Sequence, residues 1–168
     1  MINYLAAKGE QRIELTDKVL HHIWRYRQHA AHSAEAGGLL FAELSDACIR
    51  VVAATGPSIL DRRSRYSFES SAWAAKRTIS RMHRRGMHYV GEWHTHPEPV
   101  PNPSGDDRHS IRSVFLESKH PFAGLLLVIG GTQTYPDGLF VAIANGDGLQ
   151  RLQPTSDSED FTPRHVFI

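Results

Sequence analysis

Two histidines with one residue between them are the strongest chemical signal in this sequence. His94 and His96 lie in the segment 91–97, and Ser104 and Asp107 follow a proline-rich stretch. Zinc sites in proteins commonly use imidazole nitrogen and carboxylate oxygen, and a catalytic zinc keeps three protein ligands and one open position for water. We therefore predict that His94, His96 and Asp107 bind Zn²⁺ in a site that activates water.

The sequence around the two histidines predicts a strand that ends at the site. Residues 87–93 are apolar and aromatic enough to form a short strand. Side chains two residues apart share a face of a strand, so His94 and His96 converge on one ion if the extended conformation continues through them. Pro97 removes a ladder donor, and we expect the strand to stop there.

A helix after the proline-rich loop should bring the third ligand. Prolines stand at every second position of 97–103 and stiffen the loop. Ser104 precedes a helix predicted over residues 104–119, and carboxylates follow in the first turn, as after an N-cap residue. Pro121 comes soon after the predicted helix end. Residues three apart lie on one helix face, so Ser104 and Asp107 can both face the histidine pair.

Apolar stripes at helical period predict two more helices. They run from Thr16 or Asp17 to about Ala31, and from Ser70 or Ser71 to Arg85. In the second helix we expect Trp73, Ile79 and Met82 to face inward. The arginines at 77, 81, 84 and 85 form an outer basic stripe, which is either a solvated face or a docking face for an acidic partner.

Strand patterns occupy much of the remaining sequence. Strands are predicted at 39–41, 48–54, 66–68, 122–129, 139–144 and 149–152, with a surface loop over 56–63. The first two should pair as a hairpin, and the continuous apolar run at 122–129 suits a strand buried on both faces. Helices that bracket a mixed sheet indicate an α/β or α+β fold.

Length and composition narrow the possible classes of protein. A chain of 168 residues is most economically one domain, 1–168, with a polar and flexible tail at 153–168. Nineteen Lys and Arg balance 18 Asp and Glu, which gives no reason to expect nucleic acid or a membrane as partner. Cys48 is alone, so an intramolecular disulfide is impossible and a reducing cytoplasm is the expected location.

Three segments together resemble the signature of the JAMM (MPN-plus, JAB) metallopeptidases. They are Glu35-Ala36-Gly37-Gly38-Leu39, Gly91-Glu92-Trp93-His94-Thr95-His96-Pro97 and Ser104-Gly105-Asp106-Asp107. The family pattern is an upstream glutamate, His-x-His-Pro, seven residues between the second His and Ser, and Ser-x-x-Asp. The small size and the Trp-His-Thr-His-Pro form are most similar to bacterial stand-alone JAB proteins, including those of integrative and conjugative elements and CBASS antiphage operons.

This resemblance implies a fold, a reaction and a substrate class. The fold would be the JAB/MPN (cytidine deaminase-like) fold, a mixed and mostly antiparallel sheet flanked by helices. The activity would be that of a zinc isopeptidase that cuts after the C-terminus of ubiquitin-like or conjugated proteins, including a CD-NTase conjugate in antiphage defence. His94, His96 and Asp107 would bind zinc. Glu35 would be the general acid/base, and Ser104 would help to hold the oxyanion. The oligomeric state stays open.

Several of these residues have alternative interpretations. Glu92 shares a strand face with the histidines, so periodicity alone nominates it as the general base in place of Glu35. Asp106 lies next to Asp107 and is explained by a favourable first-turn charge. Ser104 can be a helix cap, with or without a catalytic role. Cys48 suits a small packed residue better than a nucleophile.

The sequence excludes two other classes of zinc enzyme and leaves two alternatives open. A zinc nucleobase deaminase needs a Pro-Cys-x-x-Cys pair, which a chain with one cysteine cannot supply. The His-Glu-x-x-His helix of common zinc proteases is absent from the sequence. A non-catalytic interaction module of the same fold and a processing peptidase for sulfur-carrier ubiquitin-like proteins remain as alternatives.

Overall fold

The computed structural model describes residues 1–6, 11–30, 33–65, 67–118, 120 and 122–158. Within these residues the chain forms ten strands and three helices. The strands are β1 (Ile2–Leu5), β2 (Arg12–Leu15), β3 (Gly37–Leu44), β4 (Cys48–Ala54), β5 (Arg62–Arg63), β6 (Phe68–Glu69), β7 (His88–Thr95), β8 (Leu125–Gly130), β9 (Leu139–Asn145) and β10 (Gly148–Arg151). The helices are α1 (Asp17–Trp24), α2 (Ala72–His83) and α3 (Gly105–Glu117).

Eight of the strands form one mixed sheet in the order β1-β2-β4-β3-β7-β8-β9-β10. The pairs β2–β4 and β7–β8 are parallel, and the other neighbours are antiparallel. Strands β5 and β6 form a separate two-stranded hairpin. The predicted fold class, a mixed and mostly antiparallel sheet flanked by helices, is therefore confirmed.

Hydrophobic residues cover both faces of the sheet. Along β8, Leu126 and Val128 join the cluster that contains α1, whereas Leu125 and Leu127 join the cluster that contains Ile111 of α3. Successive side chains of a strand point to opposite faces, so α1 and α3 lie on opposite sides of the sheet. All six residues of β8 are buried, which agrees with its continuous apolar sequence.

The first helix is shorter than the sequence predicts. It ends at Trp24 rather than near Ala31, which lies outside the described residues. The Tyr26 amide donates to the Ile23 carbonyl at 3.0 Å, a bond that spans three residues and tightens the last turn. The Tyr26 ring packs against Trp93, with ring centroids 5.6 Å apart, so a contact with the core accompanies the early end of α1.

The prediction that Trp73 faces inward is wrong. Trp73 is 61% exposed, whereas Met82 is buried and Ile79 packs against the same core cluster as Met82. Met82 lies nine positions after Trp73, which is about two and a half helical turns and puts the two side chains on opposite faces. The guanidinium carbon of Arg77 instead lies over the Trp73 ring, 4.7 Å from the centroid of the ring.

The segment between β4 and α2 contains structure where the sequence predicted a loop. Arg62–Arg63 form β5, which pairs with Phe68–Glu69. The strand predicted at 66–68 is confirmed only for Phe68, because Ser67 precedes β6 and Tyr66 lies outside the described residues. This short hairpin matters for the site, because β5 lies against the segment that carries Glu35.

Part of the tail lies against the first strand of the sheet. Pro154 forms a β-bridge with Tyr4, and the Thr155 amide donates to the Asn3 carbonyl at 2.9 Å. Residues 159–168, which include the rest of the predicted flexible tail, lie outside the described residues. Among the described helices, none has the length and apolar character needed to cross a membrane.

Candidate metal centre

Strand β7 positions both histidines in the manner that the sequence predicts. His94 pairs with Gly37 of β3 on one side and with Ile129 of β8 on the other. His96 lies one residue beyond β7, and its amide donates to the Gly130 carbonyl at 3.0 Å. The extended conformation therefore continues to His96, and the two imidazole rings lie side by side with centroids 4.9 Å apart.

Asp107 reaches the histidines from the first turn of α3. Ser104 is the N-cap, and its hydroxyl accepts a hydrogen bond from the Asp107 amide at 3.1 Å. In return, the Asp107 carboxylate accepts hydrogen bonds from the amide and the hydroxyl of Ser104, each at 2.7 Å. This reciprocal capping box fixes the rotamer of Asp107 and so aims its carboxylate at the strand end.

The three side chains meet in a compact cluster. Asp107 Oδ1 lies 3.2 Å from His94 Nε2, Asp107 Oδ2 lies 3.4 Å from His96 Nε2, and the two Nε2 atoms are 3.1 Å apart. The donor atoms of His94, His96 and Asp107 all lie within 4.8 Å of one another. Two imidazole nitrogens and a carboxylate oxygen are a donor set that zinc uses, so these residues fit a metal ion.

Electrostatics at the cluster favour an ionised carboxylate. Burial alone would raise the pKa of Asp107, but hydrogen bonds to His94 and His96 hold it well below its usual range. Burial would lower the pKa of His96, and this effect is outweighed by Asp107, Glu35 and Glu98, so that the pKa of His96 is raised. An ionised carboxylate is the form of this side chain that can bind a cation.

Glu35 lies beside the cluster, held by its main chain. Its amide donates to the Ser64 carbonyl at 2.7 Å, and its carbonyl accepts a hydrogen bond from Arg63 Nε at 2.6 Å. The next residue, Ala36, exchanges hydrogen bonds with Thr95 of β7. These contacts place the Glu35 carboxylate 3.8 Å from His96 Nε2, with 6% of the side chain exposed.

Burial changes the protonation of Glu35. It raises the pKa of the Glu35 carboxyl to about 7, an effect that the nearby His96 partly opposes. A carboxyl group with a pKa near the working pH can both accept and release a proton, as a general acid/base must. The raised pKa of the Glu35 carboxyl follows from its burial and is independent of the family resemblance.

The glycine pair after Glu35 allows a close approach between segments. A Cβ atom on Gly37 would lie 2.5 Å from the ring of Phe68, and one on Gly38 would lie 2.2 Å from the Thr55 carbonyl oxygen. Larger residues at these positions would force β3 away from β6 and from the residue that follows β4. The pair is therefore needed for the path of the chain that leads from Glu35 into the sheet.

Glu92, which strand periodicity nominates, makes a different contact. Its carboxylate accepts a hydrogen bond from the Tyr89 hydroxyl at 3.4 Å. Burial raises the pKa of Glu92, with this hydrogen bond acting in the opposite direction. The structure thus brings Glu35 next to His96 and pairs Glu92 with Tyr89 on the same strand. The pattern of β7 alone could not reveal this, because Glu35 comes from another part of the sequence.

The structure assigns the Ser104 hydroxyl a definite partner, since it donates to Asp107. The predicted cap is confirmed, whereas the predicted contact with an oxyanion stays a prediction.

Sequence reasoning did not single out Glu98, which follows Pro97 directly. One of its carboxylate oxygens lies 4.0 Å from His96 Nδ1. Its position two residues after His96, a predicted metal ligand, is the signal in the sequence that could have found it.

The structure is that of an α/β protein with a mixed sheet and a candidate His-His-Asp metal site, formed where a strand ends and a helix begins. The family model described as prokaryotic homologs of the JAB domain matches residues 17–143. This match covers most of the chain, and the chain therefore belongs to that family.

Individual relatives agree with this assignment. A "CD-NTase/cGAS isopeptidase" from Pseudomonas aeruginosa is 33% identical over 132 residues, which cover 73% of this chain and 78% of that protein. A protein of the same name from Enterobacter hormaechei is 30% identical, with 71% and 68% covered. A "probable metalloprotease" from Sinorhizobium fredii is 30% identical, with 62% and 68% covered. The family and these names support a hydrolase.

Solved structures share the fold. The solution structure of a protein from Desulfitobacterium hafniense matches with a TM-score of 0.62 at 20% identity, covering 83% of this chain and 88% of that one. A protein from Salinibacter ruber matches with a TM-score of 0.52 at 21% identity, covering 90% and 98%. At this level of identity, the likeness concerns the fold alone.

Proposed function

We propose that this chain is a zinc-dependent isopeptidase that hydrolyses the amide bond after the C-terminus of a conjugated protein. The observation that carries the proposal is the meeting of His94, His96 and Asp107, whose donor atoms lie within 4.8 Å of one another. These residues would hold zinc, which would polarise a carbonyl group and lower the pKa of bound water to about 7. The remaining steps need a proton carrier and a hydrogen-bond donor.

Glu35 is the proposed proton carrier. As the oxygen of water bonds to the carbonyl carbon, the Glu35 carboxylate takes the proton that water loses. It then gives this proton to the amine nitrogen when the carbon–nitrogen bond breaks, so that a carboxylic acid and a free amine result. Its buried carboxylate, 3.8 Å from His96 Nε2, supports this role.

Ser104 is the proposed donor to the developing oxyanion. Negative charge forms on the carbonyl oxygen during attack, and a hydroxyl aimed at it stabilises the transition state. The Ser104 hydroxyl donates to Asp107 in this structure. Its catalytic role therefore requires that the hydroxyl hydrogen turn from Asp107 to the substrate, while the Ser104 amide continues to hold the carboxylate.

The names of the relatives guide the proposal for the substrate. Proteins named CD-NTase/cGAS isopeptidase are 30–33% identical to this chain in the two cases described above. We infer that the substrate is a CD-NTase conjugated through its C-terminus to another protein, and that cleavage reverses this conjugation in antiphage (CBASS) defence. Processing of a sulfur-carrier ubiquitin-like protein uses the same chemistry and differs only in the substrate.

Cleavage of a defined conjugate tests the proposal. The substrate is a CD-NTase joined through its C-terminal carboxyl to a lysine of a carrier protein, and release of the two proteins is followed on a gel. We expect cleavage by the zinc-loaded chain, loss of cleavage on chelation, and recovery when zinc is returned. Parallel samples carry a C-terminal peptide extension on the CD-NTase or on a sulfur-carrier protein. If the chain cleaves neither the conjugate nor the extended proteins, the peptidase assignment is refuted.

A further inference from the structure

We propose that Glu98 is a positioning residue of the metal centre, whose carboxylate faces the second ring nitrogen of His96 and fixes the loop that leads to Asp107. This inference rests on the proposed function, because it assumes that His96 Nε2 binds the metal ion. It goes beyond that function by adding a residue outside the ligand set and outside the general acid/base.

The orientation of the His96 ring is the first observation. Its Nε2 atom faces His94 and Asp107, which leaves Nδ1 on the other side of the ring. Among the described residues, Glu98 has its carboxylate next to Nδ1, with Oε2 at 4.0 Å, an ion-pair distance that is longer than a hydrogen bond. Histidines that bind metals almost always donate their other N–H to a carboxylate, a carbonyl or water, and this bond fixes the ring and its tautomer.

The hydrogen bonds of Glu98 within the loop are the second observation. Glu98 Oε2 also accepts the Asn102 amide at 3.3 Å, and the Glu98 carbonyl accepts the Thr132 amide at 2.9 Å. The next carbonyl, of Pro99, accepts the Gln133 amide at 3.1 Å. The Glu98 side chain therefore closes the proline-rich loop on itself, and the main chain of residues 98–99 holds the loop to the connection between β8 and β9.

This position links two ligands that come from different elements. His96 belongs to the end of β7, whereas Asp107 belongs to α3, and the loop that starts at Pro97 joins them. A residue that contacts the His96 ring and also closes the loop keeps the two ligands at a fixed separation. Loss of the Glu98 side chain removes both contacts at once.

The charge of Glu98 gives a further contribution. A divalent ion held by His96 would draw electron density from the imidazole and make its other N–H a stronger donor, which a nearby carboxylate would stabilise. The Glu98 side chain is 54% exposed, so solvent weakens this effect. Loss of a residue that supports a metal ligand typically weakens metal binding about 10- to 100-fold. For Glu98 we expect the lower value, about tenfold.

Zinc binding to the full-length chain tests this inference without any substrate. The dissociation constant is measured by competition with a chromogenic chelator, and the visible spectrum of the cobalt-substituted protein reports the ligand geometry. We expect Glu98→Ala to weaken zinc binding about tenfold and to change the cobalt spectrum. Glu98→Gln keeps an acceptor for Asn102 but lacks the charge, and should lie between Glu98→Ala and the wild type.

Asp106→Asn is the matched control, because it removes one negative charge near the site without touching His96. Its dissociation constant for zinc should stay within about twofold of the wild-type value if only close contacts matter. Equal zinc affinity and equal cobalt spectra for the wild type, Glu98→Ala and Glu98→Gln would overturn the inference. If Glu98→Ala does not fold, the comparison of Glu98→Gln with Asp106→Asn decides. A wild-type chain that takes up no zinc would instead refute the proposed function, and this inference with it.

Discussion

Ser104 and Asp107 hold each other in a reciprocal capping box, and the same Asp107 carboxylate lies 3.2 Å from His94 Nε2. The start of α3 is therefore both a helix cap and part of the candidate metal centre. Removal of the Ser104 hydroxyl should affect helix stability and the site together, and the two effects can be separated by experiment.

Ser104→Ala should destabilise the metal-free protein by about 1 kcal/mol, because the hydroxyl no longer accepts from the Asp107 amide or donates to the Asp107 carboxylate. If the hydroxyl also donates to the oxyanion, kcat at saturating zinc should fall by about 10²–10³-fold. Denaturant titration and steady-state kinetics measure the two effects. Ser104→Thr keeps a hydroxyl and serves as the control. A loss of stability with unchanged kcat would leave Ser104 as a cap alone.

Glu35→Gln should keep zinc and lose cleavage. The amide preserves the size of the side chain but cannot carry a proton, so kcat should fall by about 10²–10⁴-fold. Metal content is measured on the purified variant by elemental analysis, beside turnover of the conjugate. Wild-type turnover in this variant would rule out Glu35 as the general acid/base.

Glu92→Gln should keep cleavage and gain stability. Burial raises the pKa of the Glu92 carboxyl in the folded protein above its unfolded value of about 4.3. The wild type therefore loses stability as pH rises from the pKa of Glu92 in the unfolded chain to its higher pKa in the folded protein. Glutamine does not ionise, and it still accepts a hydrogen bond from Tyr89. The thermal midpoint of the metal-free variant should exceed that of the wild type by more at pH 8 than at pH 5. A catalytic role for Glu92 would appear instead as lost turnover.

Zinc should stabilise the folded chain through His94 and His96. A ligand that binds only the folded state at 100 times its dissociation constant adds about 2.7 kcal/mol to the free energy of unfolding. Calorimetry of the chelated and the zinc-loaded protein measures this gain. His94→Ala should abolish most of it, and His109→Ala is the matched control on the surface of α3. An equal gain in His94→Ala would place the bound zinc elsewhere.

Arg63→Ala should lower kcat without changing zinc affinity. Arg63 Nε donates to the Glu35 carbonyl at 2.6 Å, so its loss frees the main chain that positions the proposed proton carrier. A shift of about 1 Å can cost up to about 100-fold in rate. Arg62→Ala, on the neighbouring residue of β5, is the control for the loss of one positive charge. Unchanged kcat in Arg63→Ala would show that the other contacts of Glu35 suffice.

Local sequence patterns were enough for the parts of the site that are built from neighbouring residues. The alternation of side chains in β7 predicted that His94 and His96 share a face. The position of Ser104 before a helix with carboxylates in its first turn predicted the cap, and its spacing from Asp107 predicted that both face the histidines. The buried strand β8 followed from an unbroken apolar run. Each of these features depends on geometry within one strand or one helical turn, which the sequence displays directly.

Tertiary structure decided the features that depend on partners distant in the sequence. Glu35 reaches His96 because β3 pairs with β7 and because Arg63 and Ser64 hold its main chain. Periodicity alone nominated Glu92, and only the family resemblance pointed to Glu35. The exposure of Trp73 follows from the choice of the Met82 face of α2 to pack against the sheet. The early end of α1 accompanies the contact between Tyr26 and Trp93. A local pattern records how side chains alternate, but the register between separate strands selects which of them meet.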